Sequence, residues 1–145
     1  MTRPTIICFA PSNGKDAPKI FIRTLLYSTS ELGQYVQNMY IKATRGSEVF
    51  YFNIWGYGDN GTVRGSGLFL NKSGVVVYHH FLLQENTIGF EFNKGTYLIE
   101  VYAETVKNKV IKLFADQLIL SEKQKEQAPT FFDWIPNEQR YASHF

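Results

Sequence analysis

The residue types that perform acid–base chemistry or hold metal ions are few in this sequence and lie far apart. The candidates are His79, His80, His144, Asp59, Asp116, Asp133 and Glu100. Catalysis needs such groups to converge with complementary pKa values, and their spacing gives no sign of convergence. His79 and His80 are neighbours on a predicted strand, so their side chains point to opposite faces and cannot bind one ion. We therefore predict no metal site, and an enzyme built around His79 or His80 with Asp59 is the least favoured function.

The chain has one cysteine, Cys8, which excludes an intramolecular disulfide and a cysteine cluster for zinc. No histidine lies near it in the sequence, so a small buried thiol is favoured over a nucleophile. The apolar stretch of residues 5–10 is too short for the core of a signal peptide. No stretch approaches the roughly 20 apolar residues that span a bilayer. We predict a cytoplasmic protein with no membrane partner.

Residues 56–67 carry five glycines, a density that lets backbone N–H groups approach an anion. The stretch lacks the Gly-Lys-Ser/Thr ending of a phosphate loop, and no helix is predicted to follow it. A long turn, or an edge hairpin made more flexible by its glycines, is therefore the favoured interpretation. The alternative is a ligand-contacting loop built on Tyr57, Asp59, Asn60 and Arg64. Asp59 and Asn60 supply too few oxygen ligands for calcium, which takes about six to eight.

Length and composition indicate one globular domain. The chain has 145 residues, of which 44% are hydrophobic and 19% are charged, so long disorder is excluded. The formal net charge of +2 is too small to indicate nucleic acid or an anionic membrane as a partner.

The spacing of apolar residues predicts an all-β domain. Over most of residues 19–120, apolar positions recur with a period of two and turn residues interrupt them, which indicates seven or eight short strands. Residues 71–74 are predicted to form a hairpin turn, and a change of phase predicts a β-bulge near Asp116. These strands favour an antiparallel β-sandwich, with a jelly roll or a calycin-type barrel as the alternative. We place this single domain at residues 1–120.

One stretch resembles part of a known fold family. Residues 92–101, FNKGTYLIEV, place Gly-x-Tyr at the start of a strand that a hairpin and a last strand follow. This resembles the penultimate strand of immunoglobulin-like and fibronectin-like domains, where the tyrosine forms a tyrosine corner. The resemblance implies that Tyr97 is the corner residue and that Trp55 falls near the core tryptophan of the third strand. Ile99 stands in place of an antibody cysteine, and the resemblance implies a fold without a specific chemistry.

The feature that says most about function is a predicted aromatic sheet face. It combines alternate residues of two strands that are neighbours in an immunoglobulin-like sandwich, namely Tyr51, Asn53, Trp55, Glu100 and Tyr102. An exposed patch of this kind marks an interface or a ligand groove. Three occupants are considered: the C-terminal aromatic segment, a second copy of the chain, and a sugar or peptide.

Residues 121–145 are predicted to be a polar linker followed by an aromatic segment. The segment is more aromatic than a free tail, notably at Phe131, Phe132, Trp134 and Tyr141. We expect it to dock on the domain or on a partner, because so many aromatic rings are costly to leave in water.

From these features we predict a non-enzymatic protein-interaction or assembly module that self-associates as a homodimer. Its partner is expected to be protein, with no cofactor, no metal and no nucleic acid. The alternative is a carbohydrate- or small-ligand-binding module that uses exposed aromatic residues and the loop of residues 56–67. Flat rings beside amides and carboxylates suit sugar rings, which is the physical basis of that alternative.

Overall fold

A computed structural model describes residues 1–12, 17–59, 63–64, 67–84, 87, 89–124 and 128–144. In these residues the regular structure is all β, in two antiparallel sheets that pack together as a β-sandwich. The predicted fold class is confirmed. In the same part of the chain, no helix has the length and apolar character needed to cross a membrane.

The described residues form more strands than the seven or eight predicted. Eleven strands have three residues or more and β6 has two. They are β1 (Ile6–Ala10), β2 (Lys19–Leu26), β3 (Gln34–Arg45), β4 (Glu48–Phe52), β5 (Ile54–Tyr57), β6 (Val63–Arg64), β7 (Leu68–Leu70), β8 (Val75–Leu82), β9 (Gly95–Thr105), β10 (Val110–Leu120), β11 (Thr130–Ile135) and β12 (Arg140–His144). The prediction was wrong because β1, β11 and β12 lie outside the periodic stretch, and because one predicted strand breaks at Asn53.

The strand order determines which residues become neighbours. The larger sheet has the order β12-β11-β1-β2-β8-β5-β6, and the smaller has the order β10-β9-β3-β4, with β7 also paired to β3. Since β7 and β8 lie in different sheets, residues 71–74 connect the sheets, and the predicted hairpin turn was wrong. The register of β10 against β9 shifts between Lys112 and Phe114, so the bulge precedes its predicted position near Asp116.

Alternation within the strands builds the core between the two sheets. Ile20 and Ile22 of β2 and Ile99 and Val101 of β9 are all 0% exposed. The ring of Phe9 in β1 lies 4.7 to 5.0 Å from the rings of Phe92, Phe132 and Tyr97. Full burial of each such side chain contributes roughly 1.5–3 kcal/mol relative to exposure, so these contacts hold both sheets together.

Tyr97 makes the hydrogen bond that a tyrosine corner requires. Its hydroxyl donates to the carbonyl of Asn93, four residues upstream, at 2.5 Å, and accepts a hydrogen bond from Arg45 at 2.8 Å. The ring is 1% exposed, so the bond holds the turn before β9 against the core. The immunoglobulin-like resemblance stays a prediction.

The C-terminal segment completes the larger sheet. β11 pairs with β1, and β12 pairs with β11 as a hairpin. Phe132 and Tyr141 are buried in the core, so the sandwich extends past the predicted domain end at residue 120. The preceding linker is also attached, because the amide of Gln124 donates to the carbonyl of Phe9 at 3.1 Å.

Candidate functional site

Three of the predicted surface residues share the outer face of the smaller sheet. Tyr102 on β9 pairs with Tyr40 on β3, and Tyr51 on β4 pairs with Lys42 on the same strand β3. Residues that pair directly across antiparallel strands share a face. Ile41 and Ala43 of β3 are buried in the core, which places Tyr40 and Lys42 outside. Glu100 pairs with Lys42 and lies on this face as well.

Three aromatic rings and one lysine on this face form a row across four strands. Tyr40 and Tyr102 are stacked with ring centroids 5.0 Å apart at 15°, and Tyr51 lies 6.4 Å from Tyr40 at 54°. At the other end, the Nζ atom of Lys112 on β10 is 5.8 Å from the Tyr102 ring centroid. We call Lys112, Tyr102, Tyr40 and Tyr51 the tyrosine row. Both faces of the Tyr102 ring are thus in contact with neighbours, and Tyr51, 41% exposed, is the open end.

The carboxylate of Glu100 bonds two side chains of this row. It is 7% exposed even though it lies on an outer face. Its Oε2 atom is 2.7 Å from the Lys112 ammonium and accepts a hydrogen bond from the Tyr102 hydroxyl at 3.1 Å. The hydrogen bond from Lys112 is the main reason that the pKa of Glu100 lies below its usual value. The carboxylate therefore stays ionised, and its two contacts fix the positions of the Lys112 and Tyr102 side chains.

Trp55 does not lie on this face, so that part of the prediction was wrong. Asn53 is exposed between β4 and β5, where the chain passes from the smaller sheet to the larger one. Because a period of two applies only within one sheet, the passage turns Trp55 inward, and it is 2% exposed. Its indole N–H donates to Nδ1 of His79 at 3.2 Å. Trp55 is a core residue with a satisfied polar atom.

His79 and His80 lie on opposite faces of β8. His79 is 0% exposed, and because its Nδ1 accepts from Trp55, its proton is assigned to Nε2. Among the described residues, this Nε2 atom is a buried polar atom with no hydrogen-bond partner. Burial lowers the pKa of His79 to about 4, so the ring is neutral near pH 7. His80 is half-buried on the outer face, with Nδ1 at 3.3 Å from the Lys19 ammonium.

The described residues of the glycine-rich stretch that form strands belong to β5 and β6 of the larger sheet, whereas the tyrosine row is on the smaller one. The Asp59 carboxylate accepts from the backbone N–H of Tyr78 at 2.9 Å and from Arg23 at 3.0 Å, and these bonds lower its pKa. The hydroxyl of Tyr57 donates to the carbonyl of Gly67 at 3.1 Å. Asn60 and the side chain of Arg64 lie outside the described residues. The Tyr57 hydroxyl and the Oδ1 atom of Asp59 are therefore hydrogen-bonded within the protein.

The aromatic residues of the C-terminal hairpin divide between the two faces of the larger sheet. Phe131 is opposite Cys8 in register and faces outward, whereas Phe132 is 0% exposed in the core. Trp134 and Tyr141 pack edge to face at 5.2 Å. The Tyr141 hydroxyl donates to the carbonyl of Pro4 at 2.7 Å. The hairpin is therefore held in cis by both packing and hydrogen bonds.

The remaining candidates for chemistry do not converge. Within the described ranges, no group of three or more histidine, cysteine, aspartate or glutamate residues is placed to hold a metal ion. Burial raises the pKa of the Cys8 thiol to about 12, which removes the thiolate that nucleophilic chemistry requires. Asp116 forms an ion pair with Arg3, and Asp133 lies opposite Ile6 in the larger sheet.

The chain matches no family model, no curated protein and no solved structure. The positions and contacts of its own residues are therefore the basis for a function.

Proposed function

We propose that this protein is a non-enzymatic interaction module that self-associates through the outer face of its smaller sheet. The tyrosine row is the observation that carries the proposal. Tyrosine is enriched at protein interfaces because it covers a large area at a small cost in side-chain entropy. The three rings on β9, β3 and β4 give this face the aromatic content of an interface, and the ion pair of Glu100 with Lys112 lies at one end of the row.

The register of β9 and β3 supports a second copy of the chain as the partner. A two-fold axis running between these strands, parallel to them, exchanges their positions between the two copies. Each Glu100 then faces Lys42 of the second copy, and each Tyr102 faces Tyr40 of the second copy. An isologous contact needs this kind of self-complementarity. Two such faces pack about 10 Å apart with strands nearly aligned.

The first experiment measures solution mass by light scattering over a concentration series, in the full chain and in Lys42→Glu. The variant places Glu against Glu100 of the second copy, so its dimer dissociation constant should rise about tenfold or more. Lys94→Glu is the matched control, because it makes the same change in charge at an exposed turn outside the face.

A second pair of variants tests the rings. Tyr51→Ser removes the exposed end of the row and should also weaken the dimer. Tyr35→Ser is its control, since Tyr35 is 55% exposed on the same strand β3 as Tyr40 but its ring packs against Phe69 instead, at 4.8 Å and 51°. A wild-type chain that stays monomeric at all concentrations, or equal effects of variant and control in both pairs, would overturn the proposal.

Carbohydrate or small-ligand binding is the second candidate, and the open ring of Tyr51 favours it. This ring is 41% exposed, and Asn53, two residues later in the chain, is also exposed; an open ring and an amide are the groups that suit a single sugar ring. Stacking within the row argues against a larger platform, because neighbours already cover the faces of Tyr102. Binding of a glycan panel to a monomeric wild-type chain, abolished by Tyr51→Ser, would favour this function over self-association.

We place this activity in the cytoplasm. The support is the use of cysteine, because Cys8 is the single one in the chain and secreted domains more often carry paired cysteines.

A further inference from the structure

Exposed apolar side chains gather at one end of the sandwich. This is the end at which β2, β7 and β9 finish and β3, β8 and β10 begin. Among the described residues eleven large apolar side chains are exposed, and eight of them lie here, within residues 27–35, 69–76 and 106–111. Single exposed apolar residues are ordinary, but a group of this size marks a site of interaction.

Direct contacts join the segments that carry these side chains. The ring of Phe69 on β7 packs against that of Tyr35 on β3 at 4.8 Å. The backbone N–H of Val106 donates to the carbonyl of Tyr35 at 3.3 Å. Gly33 lies so close to Phe69 that a Cβ atom on it would be 2.4 Å from the ring, which places Leu32 beside the same group. We call Leu32, Tyr35, Phe69 and Val106 the apolar end.

The most exposed members of the apolar end lie in turns and not in a groove. Leu32 is 90% exposed in the turn of residues 30–33, where the N–H of Gly33 donates to the carbonyl of Ser30 at 3.1 Å. Val106 is 54% exposed where the chain turns from β9 into β10. An apolar side chain on a turn enters the boundary between lipid headgroups and acyl chains without a complementary pocket, which a protein partner would have to supply.

The charge left unpaired beside the apolar end is positive. Lys107 and Lys109 are exposed in the turn after Val106, and neither forms an ion pair within the described part of the chain. The acidic side chains at this end already have partners, in the pairs Glu31–Lys72, Glu104–Gln37 and Asp59–Arg23. Apolar turns beside free lysines are complementary to an anionic lipid surface, whose attraction for basic residues adds to apolar burial.

We propose that the apolar end docks on an anionic lipid bilayer, with Leu32 and Val106 entering its surface and Lys107 and Lys109 binding lipid headgroups. Tyr35 carries a hydroxyl on an apolar ring, which suits the headgroup level. The cytoplasmic leaflet carries anionic lipids, so the proposal agrees with a cytoplasmic chain. It revises the expectation drawn from the net charge of +2, because only the fold gathers these residues at one end.

This site lies apart from the tyrosine row and does not depend on self-association. A dimer about the axis described above would present both apolar ends to one membrane, because that axis is parallel to the strands. A monomer would present one.

The first test is co-sedimentation of the full chain with vesicles of phosphatidylcholine containing about 30% phosphatidylserine, compared with phosphatidylcholine alone. The wild type should bind the anionic vesicles more tightly, and added salt should weaken that binding. Lys107→Glu should weaken it about tenfold or more, because it reverses a charge at the membrane surface. Lys94→Glu is the matched control at the opposite end of the sandwich and should weaken it less than about threefold.

A second pair of variants tests insertion of the apolar end. Leu32→Ser should weaken vesicle binding about tenfold, and it keeps the fold because Leu32 is exposed. Ile119→Ser is its control, since Ile119 is 66% exposed on β10 near the opposite end and should bind as the wild type does. In Leu32→Trp, lipids brominated on their acyl chains should quench emission that they do not quench in the wild type.

Several results would overturn the proposal. They are equal binding of the wild type to both kinds of vesicle, equal effects of variant and control in either pair, and absence of bromine quenching in Leu32→Trp. A wild type that binds no vesicles, with a solution mass that falls in Leu32→Ser, would assign this end to contact with a second copy of the chain instead. A wild type that binds no vesicles and keeps its mass in Leu32→Ser would exclude both occupants.

Discussion

Acid should destabilise this protein through one buried histidine, in addition to any effect of its carboxylates. Burial lowers the pKa of His79 to about 4 in the folded chain, whereas its ordinary value is 6.5. Between these values the unfolded chain binds a proton that the folded chain does not, so the free energy of unfolding falls as the pH falls below 6.5. The loss is complete below about pH 4 and amounts to about 3 kcal/mol, of which about 2–3 kcal/mol is lost by pH 4.5.

Urea unfolding at pH 7.0 and at pH 4.5 measures this loss, and a non-titrating variant isolates it. His79→Asn keeps an acceptor for the indole N–H of Trp55 but binds no proton, so its stability should fall less over this pH interval than that of the wild type. His80→Asn is the comparison variant: burial also lowers the pKa of His80, which is half-buried on the other face of β8 beside Lys19, so this variant should recover less of the loss than His79→Asn does. Asp59 is the nearby carboxylate and is present in all three chains.

The reasoning would be refuted by an equal loss of stability in wild type and His79→Asn. A pKa of His79 above 6, measured directly by NMR titration of its ring, would refute it as well. Either result would mean that water or a local opening reaches the His79 ring, which is buried between Trp55 and Phe81.

Two further predictions concern a backbone position and the thiol. Gly74→Ala should destabilise the protein by more than the roughly 1–2 kcal/mol expected for a left-handed residue, because φ is 76° and the new Cβ would lie 2.4 Å from the carbonyl oxygen of Leu26. Gly46→Ala is the control in the same urea assay, since φ is 61° there with no atom within 4 Å, and an equal cost at both positions would contradict the clash. The Cys8 thiol should react with a disulfide reagent at pH 8 only as fast as the chain opens, and rapid reaction under native conditions would contradict its burial.

The periodicity of the sequence predicted the fold class because alternation is a local property. In β9, the buried Tyr97, Val101 and Ala103 alternate with the half-buried Leu98, Tyr102 and Glu104, as a half-buried strand requires. The corner role of Tyr97 was implied by the immunoglobulin-like resemblance and not by this alternation; in the structure its hydroxyl donates to the carbonyl of Asn93. Residues 71–74 do form a local turn, although not a hairpin: the Asn71 side chain accepts a hydrogen bond from the Gly74 N–H at 3.0 Å. This local turn does not determine which strand pairs with β8, and β8 pairs with β2 and β5 instead of β7.

The candidate site was predicted in part. Tyr51, Glu100 and Tyr102 do share one face, but Tyr40 joins them because β3 lies between β4 and β9. The signal for Tyr40 was present in the sequence, where it alternates with the buried Met39 and Ile41.

Trp55 was placed wrongly because nothing local marks a change of sheet at Asn53. The contacts of Arg3 could not be predicted from local sequence either, because its partners Asp116 and Trp134 lie more than 100 residues away in the chain.

By itself, the sequence determined that the chain forms antiparallel strands with one apolar side, that Cys8 has no disulfide partner and that its charge is nearly balanced. These properties depend on composition and on the alternation of neighbouring residues, which any strand imposes. It is the packing of the two sheets that buries Trp55 against His79, extends the tyrosine row over four strands and brings Arg3 beside the rings of Phe114, Trp134 and Tyr141. Strand order brings these residues together, and strand order follows from the packing of the whole chain rather than from any one segment.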